Sequence, residues 1–420
     1  MNAPGAPGAI VAARLVVERA IAGRIFPAAS LEVGSSAGVL WSDALGTLTF
    51  DAGSSSARLD TAFDLASLTK VIATTTVLME LVRTARVRLD DPVSGFFNEW
   101  RGTDRERVTV RDLLEHASGL AARLVDAPPK SRREFEHDIC RMALEYEPRT
   151  QSIYSDLDFI LLGFLAADRG GASLPELFDQ IAAQIRLKAD PTTVSSDPTT
   201  VSSDPTTVSS DPTTVSSYVR SGFPPTPSAP AWPNRSAERA EAGSRTGEIA
   251  SLTFDLAPDW GKLAAPTLPL PEDSRRGRSL AGEVHDNYAA ALGGAAGHAG
   301  LFGTAPAVGA FARIVLRAAR GGRGLPLPFS PELVAQFTTE STVPGSSRAL
   351  GWDTMRPTSS CGTQMSPNAF GHVGFTGTSL WVDPGRDRYF VLLTNRACAG
   401  GSLDEMRAVR RSFHDALGAL

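Results

Sequence analysis

The chain has 420 residues, with 41 Lys and Arg against 46 Asp and Glu, for a net charge of −5. That length permits one large or two modest domains with a sizeable core, and the mildly acidic balance, with no basic stripe, excludes nucleic-acid binding as a lead function. Cys140, Cys361 and Cys398 are odd in number, far apart and without a C-x-x-C pair, which excludes a disulfide framework and a cysteine zinc site.

Residues 1–7 are small and uncharged, and Arg14, Glu18 and Arg19 follow at helical spacing. A secretory leader needs a basic start and an unbroken apolar run, so none is expected. No apolar run approaches the ~18 residues of a membrane span. The expectation is a soluble cytoplasmic protein, exported only if the true start of translation lies elsewhere. Residues 10–22 predict an amphipathic helix. Residues 30–50 alternate in short apolar runs broken by Gly34, Gly38 and Gly46, which predicts antiparallel hairpins. Gly34-Ser35-Ser36-Ala37-Gly38 matches the G-x-S-x-G elbow, but an elbow requires a helix after it. Here Val39-Leu40-Trp41 continues as strand, so the segment is expected to be a hairpin turn and not a nucleophile.

Helical text runs from residue 67 to about 170, including 67–83, 110–116, 132–144 and 156–168, and 174–187 extends it. Leu89-Asp90-Asp91-Pro92-Val93 and Ser118-Gly119 read as turns. Residues 190–217 are four perfect copies of Asp-Pro-Thr-Thr-Val-Ser-Ser. Each copy carries a Pro and none has an apolar seam, which excludes a coiled coil. The expectation is a disordered low-complexity insertion, followed by a Pro-rich irregular segment over 218–275. A glycine-rich loop, 293–301, precedes a helix at 305–320. Residues 370–375, 378–382 and 389–394 are strand-like, and 402–417 closes the chain as a helix. Strands at both ends with helices between predict an α/β fold of the α+β type. Its antiparallel sheet is built from N- and C-terminal segments flanked by helices, with an inserted all-helical lobe. Within a single domain over 1–420, the sheet subdomain spans about 1–66 and 300–420, and the mainly helical one about 67–299.

Ser67 and Lys70 fall on one helix face at i and i+3, where helix-terminal amides favour negative charge. The plain structural alternative is an N-cap serine beside a solvated amine. Composition shifts the balance. The chain holds only four lysines, at 70, 130, 188 and 262, within its 41 Lys and Arg. Arginine serves wherever charge alone is needed, and only lysine can give up its proton. Ser67 and Lys70 are therefore candidate nucleophile and base. Tyr154-Ser155-Asp156 opens the 156–168 helix; Ser155 or Asp156 can be a cap, while Tyr154 beside an ammonium can relay protons, its phenol lowered by that charge. Gly371-His372-Val373-Gly374-Phe375 lies on a late strand where Gly374 lets a ligand approach the backbone. Six scattered histidines without H-E-x-x-H spacing give no expectation of a metal site.

Ser67-x-x-Lys70, Tyr154-x-Asp156 and His372-x-Gly374 stand in this order. With Leu113-Leu114-Glu115-His116-Ala117-Ser118-Gly119 and Gly297-His298-Ala299-Gly300-Leu301-Phe302, they resemble the serine β-lactamase and penicillin-binding-protein superfamily. The nearest branch is that of class C β-lactamases, DD-peptidases and related carboxylesterases. The resemblance covers nearly the whole chain outside 190–275. It implies acyl transfer: Ser67 attacks a carbonyl, Lys70 and Tyr154 handle its proton, and the amides of Ser67 and Phe375 hold the oxyanion, with His372, Asp156 and Gly374 lining the site and no cofactor or metal. The chain departs from the β-lactamase pattern in two places. Asp156 stands where class C enzymes carry Asn, and His372-Val373 where Lys-Thr is usual. A carboxylate at 156 raises the pKa of Lys70 and adds negative charge to the cleft, His372-Val373 has less means of holding a β-lactam carboxylate, and both changes argue against an efficient β-lactamase. The expected function is a serine hydrolase cutting a small-molecule ester or amide, like a carboxylesterase or DD-peptidase. The alternatives are a β-lactamase and, from another class, a catalytically degenerate homologue that only binds its ligand. No nucleic-acid partner or membrane span is expected, and the oligomeric state is left open.

Overall fold

The computed structural model describes residues 6–124, 127–189, 252–261, 263–418 and 420. The repeat at 190–217 and the Pro-rich residues 218–251 lie outside the described residues. The chain opens with α1 (Ala6–Ala22) and the hairpin of β1 (Ala28–Ser35) and β2 (Gly38–Gly46). The G-x-S-x-G segment is that hairpin's turn, since Ser35 pairs with Gly38. After the two-residue β3 (Phe63–Asp64), helix begins at Leu68, widens into a π-helical turn (Lys70–Thr74) and continues as α2 (Thr75–Arg83). Ser67 thus sits one residue before the helix, not in its first turn as the spacing predicts. Ala66, at φ 47°, turns the chain there.

Four helices follow: α3 (Val110–Leu114), α4 (Arg132–Arg141), α5 (Asp156–Gly170) and α6 (Leu174–Ala189). α3 stops short of the predicted residue 116 because His116 takes a left-handed φ of 55°. α5 is capped by Ser155, whose hydroxyl accepts from Asp158 N–H, and ends at Gly171 with φ 75°. The stop is the αL cap that glycine permits at low cost. Beyond the undescribed stretch come β4 (Leu252–Thr253), α7 (Pro258–Gly261), α8 (Asn287–Ala291), β5 (Phe302–Gly303), α9 (Ala305–Ala319) and α10 (Pro331–Thr338). The chain closes with β6 (Asp353–Thr354), β7 (Phe370–Val373), β8 (Ser379–Asp383), β9 (Arg388–Thr394) and α11 (Leu403–Leu417). β4 and α7 fall in the part of the Pro-rich segment that is described, so it is not wholly irregular. Two-residue strands and α10 left no usable period in the sequence.

The main sheet is antiparallel with order β2-β1-β9-β8-β7-β6, and β3-β5-β4 form a second, small sheet. N- and C-terminal segments interleave because β1 pairs with β9, with Ala29 opposite Thr394. Side chains alternate between faces along a strand. On β9, Tyr389, Val391 and Leu393 join the large core shared with α9 and the inserted helices. Phe390 and Leu392 join a second core with Ala13 and Val17 of α1 and Met406, Val409 and Phe413 of α11. Every residue of β1 is buried, as expected for a central strand with helices on both faces. Among the described residues no helix is long and apolar enough to cross a membrane.

This arrangement brings three distant segments together beside Ser67. The turn after β7 docks on the approach to the serine: Thr376 Oγ1 donates to Asp64 O at 2.7 Å and Thr378 Oγ1 to Leu65 O at 3.0 Å. The glycine-rich loop packs against α5, where a Cβ on Gly297 would lie 1.9 Å from Phe159 O. Only glycine admits that contact, and it places His298 behind Lys70.

Candidate active site

Ser67 Oγ is half-buried and receives two donors. Tyr154 Oη lies at 2.7 Å and Lys70 Nζ at 3.2 Å. The preceding Ala66 carries the left-handed φ noted above, which for a residue with a side chain is stored strain. Asp64 pins this bend: Oδ1 accepts from Ala66 N–H at 2.8 Å and Oδ2 from His285 N–H at 2.6 Å. Among the described residues, no protein acceptor is found for Ser67 N–H or Phe375 N–H. Two amides beside a serine are therefore unspent.

Lys70 is fully buried. Its ammonium has three protons and three acceptors: Asp156 Oδ1 at 2.8 Å, Ser67 Oγ at 3.2 Å and His298 O at 3.3 Å. Burial pulls its pKa down, but the Asp156 charge, the tyrosine and their hydrogen bonds outweigh burial, and the net shift is upward. Burial pushes Tyr154 up; Lys70 pulls it down but only in part, and the phenol ends above its ordinary value. The sequence reading expected the ammonium to prevail at Tyr154. Desolvation prevails because the ring is enclosed by His116 at 4.8 Å, His372 at 5.9 Å and the Arg348 guanidinium at 5.3 Å. In the resting site both groups keep their protons at neutral pH.

Behind Lys70 runs a half-buried ionic chain. Asp156 Oδ2 accepts from Arg123 Nη1 at 2.8 Å, the same nitrogen donates to Asp286 Oδ2 at 3.0 Å, and Asp286 Oδ1 meets His298 Nε2 at 2.8 Å. Burial opposes ionisation of Asp156, yet Lys70, His298 and Arg123 hold its pKa below the usual carboxylate range. Asp156, Asp286 and His298 bring one ligand-type atom each within 4.8 Å of one another, the kind of spacing a metal uses. Arg123 already stands between the two carboxylates and supplies the positive charge there.

The opposite wall is the β7–β8 turn. His372 is buried, with Nδ1 on Val373 O at 2.9 Å and Nε2 without a partner. Burial, then the charges of Arg348 and Lys70, keep its pKa well below 6.5, so it is a neutral ring facing Tyr154. It makes no bond to Ser67. Gly374 is packed so closely that a Cβ would lie 2.6 Å from Leu65 O. The Phe375 side chain is 40% exposed and stacks on His285 at 5.3 Å. All the predicted site residues, Ser67, Lys70, Tyr154, Asp156, His372, Gly374 and Phe375, thus gather around the Ser67–Lys70 pair. Sequence reasoning missed Arg123, Asp286 and Arg348, each an ordinary charged residue without a motif of its own.

A serine held between a lysine and a tyrosine, on a mixed fold with a helical insertion, belongs to the class of acyl-transferring serine hydrolases. The chain is a member of the beta-lactamase family, whose model matches residues 16–414. A protein of Escherichia coli O157:H7 named "Putative D-alanyl-D-alanine carboxypeptidase" is 29% identical over 360 residues, covering 81% of this chain and 70% of its own. The fold is shared with the beta-lactamase of Sulfitobacter sp. EE-36, at TM-score 0.67, 16% identity and full coverage of both chains. It is shared also with EstCE1, a hydrolase with promiscuous acyltransferase activity, at TM-score 0.66 and 16% identity, covering 99% of this chain and 100% of that one.

Proposed function

We propose that this protein hydrolyses a small-molecule ester or amide through an acyl-enzyme on Ser67, as a carboxylesterase or DD-peptidase-like enzyme. The observation that carries this reading is the double hydrogen bond onto Ser67 Oγ from Tyr154 and Lys70. A hydroxyl with two donors on it cannot also pass on its own proton, so the Tyr154–Lys70 pair must first lose one. Once the pair is singly deprotonated, Tyr154 takes the Ser67 proton as Oγ attacks the carbonyl carbon. The tetrahedral oxyanion sits between the free amides of Ser67 and Phe375, where such donors are worth about 10²–10³ in rate each. Tyr154 then protonates the leaving group, the carbon–leaving-group bond breaks, and the acyl-enzyme remains. Water repeats the sequence with the same groups and frees the acid.

The name of the Escherichia coli relative supports the peptidase side, and EstCE1 the esterase side. Asp156, which ties up Lys70, and a neutral His372 beside Val373 leave less cationic capacity for a β-lactam carboxylate, so β-lactam turnover ranks second. The intact Ser–Lys–Tyr geometry favours catalysis over a degenerate binding role. A fluorophosphonate should label Ser67, and a panel of short-chain esters, D-amino-acid peptides and cephalosporins should show multiple turnover with esters or peptides ahead of cephalosporins. Labelling that survives in Ser67→Ala, or acylation without release, would sink this reading.

A further inference from the structure

Arg396 and Arg410 are buried beside the β7–β8 turn, at 6% exposure each. Among the described residues neither has a carboxylate in ion-pair reach, and the influences on Arg410 are burial and the like charge of Arg396. Enclosing a cation without a counter-ion is costly unless its donors are fully used elsewhere. Here all three nitrogens of Arg396 and Nη2 of Arg410 are spent on main-chain oxygens, while Arg410 Nε is buried without a partner. Arg410 Nη2 donates to Gly374 O at 2.7 Å and to Thr378 O at 2.9 Å. Arg396 donates to Phe375 O through Nε at 3.1 Å and Nη2 at 2.6 Å, and to Gly401 O through Nη1 at 2.6 Å. Burial lowers Arg410 to about 9, which still leaves it charged at neutrality.

Gly374 O and Phe375 N–H are the two ends of one trans peptide and point in opposite directions. A cation fixed on the oxygen therefore aims the N–H and polarises it, since a charged donor strengthens the far end of a hydrogen-bonded chain. Arg396, on the next carbonyl, stops the following peptide from rotating. We propose that Arg410, backed by Arg396, is the positioning residue of the oxyanion site: it holds the Gly374–Phe375 peptide with its N–H turned toward Ser67 and enriched in positive charge. This inference rests on the assignment of Ser67 as nucleophile and Phe375 N–H as oxyanion donor.

The test compares wild type with Arg410→Met, which keeps the stem and removes the guanidinium, and with Arg410→Lys, which can reach one carbonyl at most. Ester kinetics, inhibition by an arylboronic acid (which forms a tetrahedral adduct on the serine) and the melting temperature are measured on each. In Arg410→Met, kcat should fall about 10- to 100-fold, short of losing the donor outright. KM should stay within about threefold, the boronate should weaken in step with kcat, and Arg410→Lys should lie between. The melting temperature should hold, because a buried unpaired charge has gone. Unchanged kcat and boronate affinity in either folded variant overturn the inference. So does a loss confined to melting temperature and KM. If Arg410→Met does not fold, Arg410→Lys decides by the same ratio of boronate affinity to KM. A wild type that takes no label on Ser67 instead overturns the underlying assignment.

Discussion

The two walls of the cleft handle charge in opposite ways. On the helical wall every charge has a partner of opposite sign: Lys70 with Asp156, Asp156 with Arg123, Arg123 with Asp286. On the sheet wall two guanidiniums face main-chain oxygens alone, and His372 is neutral. Paired charges keep protons in known places, which suits a wall that must move one. Positive charge without an anion suits a wall that must receive negative charge for an instant and release it. Under the proposed function, the difference teaches that proton handling belongs to the helical wall and the Phe375 half of the oxyanion site to the sheet wall, with the Ser67 amide joining the two.

The sharpest break comes from the residue both walls serve. Ser67→Ala should lower ester turnover at least about 10⁴-fold, with no acyl adduct by intact mass and an unchanged melting temperature. Tyr154→Phe damages only the helical wall. It should lower kcat by about 10²–10⁴ while the arylboronate still binds within about tenfold, as judged by inhibition. Asp156→Asn tests the pairing itself. With the carboxylate gone, burial dominates Lys70 and its pKa falls. The rising limb of kcat/KM, expected on the alkaline side for wild type because both Lys70 and Tyr154 are shifted upward, should move to lower pH by about one to three units. A limb that stays in place would mean Asp156 does not set the lysine's proton. Phe375→Ala touches the sheet wall least, since the amide remains. KM should rise about three- to tenfold from the lost ring surface, with kcat held.

The proposed catalytic constellation is legible in the sequence because its spacings are short. Ser67 and Lys70 lie three apart, Tyr154 and Asp156 two apart, and a chain so poor in lysine singles out Lys70. The elbow-like Gly34–Gly38 segment was rejected on the strand that follows it, and the hairpin bears that out. The ionic chain is not legible, because Arg123 meets Asp286 only across 163 residues of chain and no motif marks either. Arg410 left a faint signal. It and His414 fall at helical spacing on the face of α11 that carries Met406, Val409, Phe413 and Leu417, where a charge is out of place. Helix start at Leu68 instead of Ser67, and the π turn at Lys70, depend on local strain that periodicity does not carry. Tyr154 shows the same limit in energetics: the neighbour was foreseen, the enclosure was not.

The pairing of β1 with β9 has a consequence for how the molecule comes into being. A strand near the start of the chain waits for one near the end, so most of the chain must be made before the central ladder closes, and such long-range closure is slow. Until then β1 presents an open edge able to pair with the wrong neighbour. The turn carrying Phe375 arrives in that same late stretch. A growing or prematurely ended chain therefore holds Ser67, Lys70 and Tyr154 without the Phe375 half of the proposed oxyanion site, and under the proposed function it stays silent until the sheet is whole.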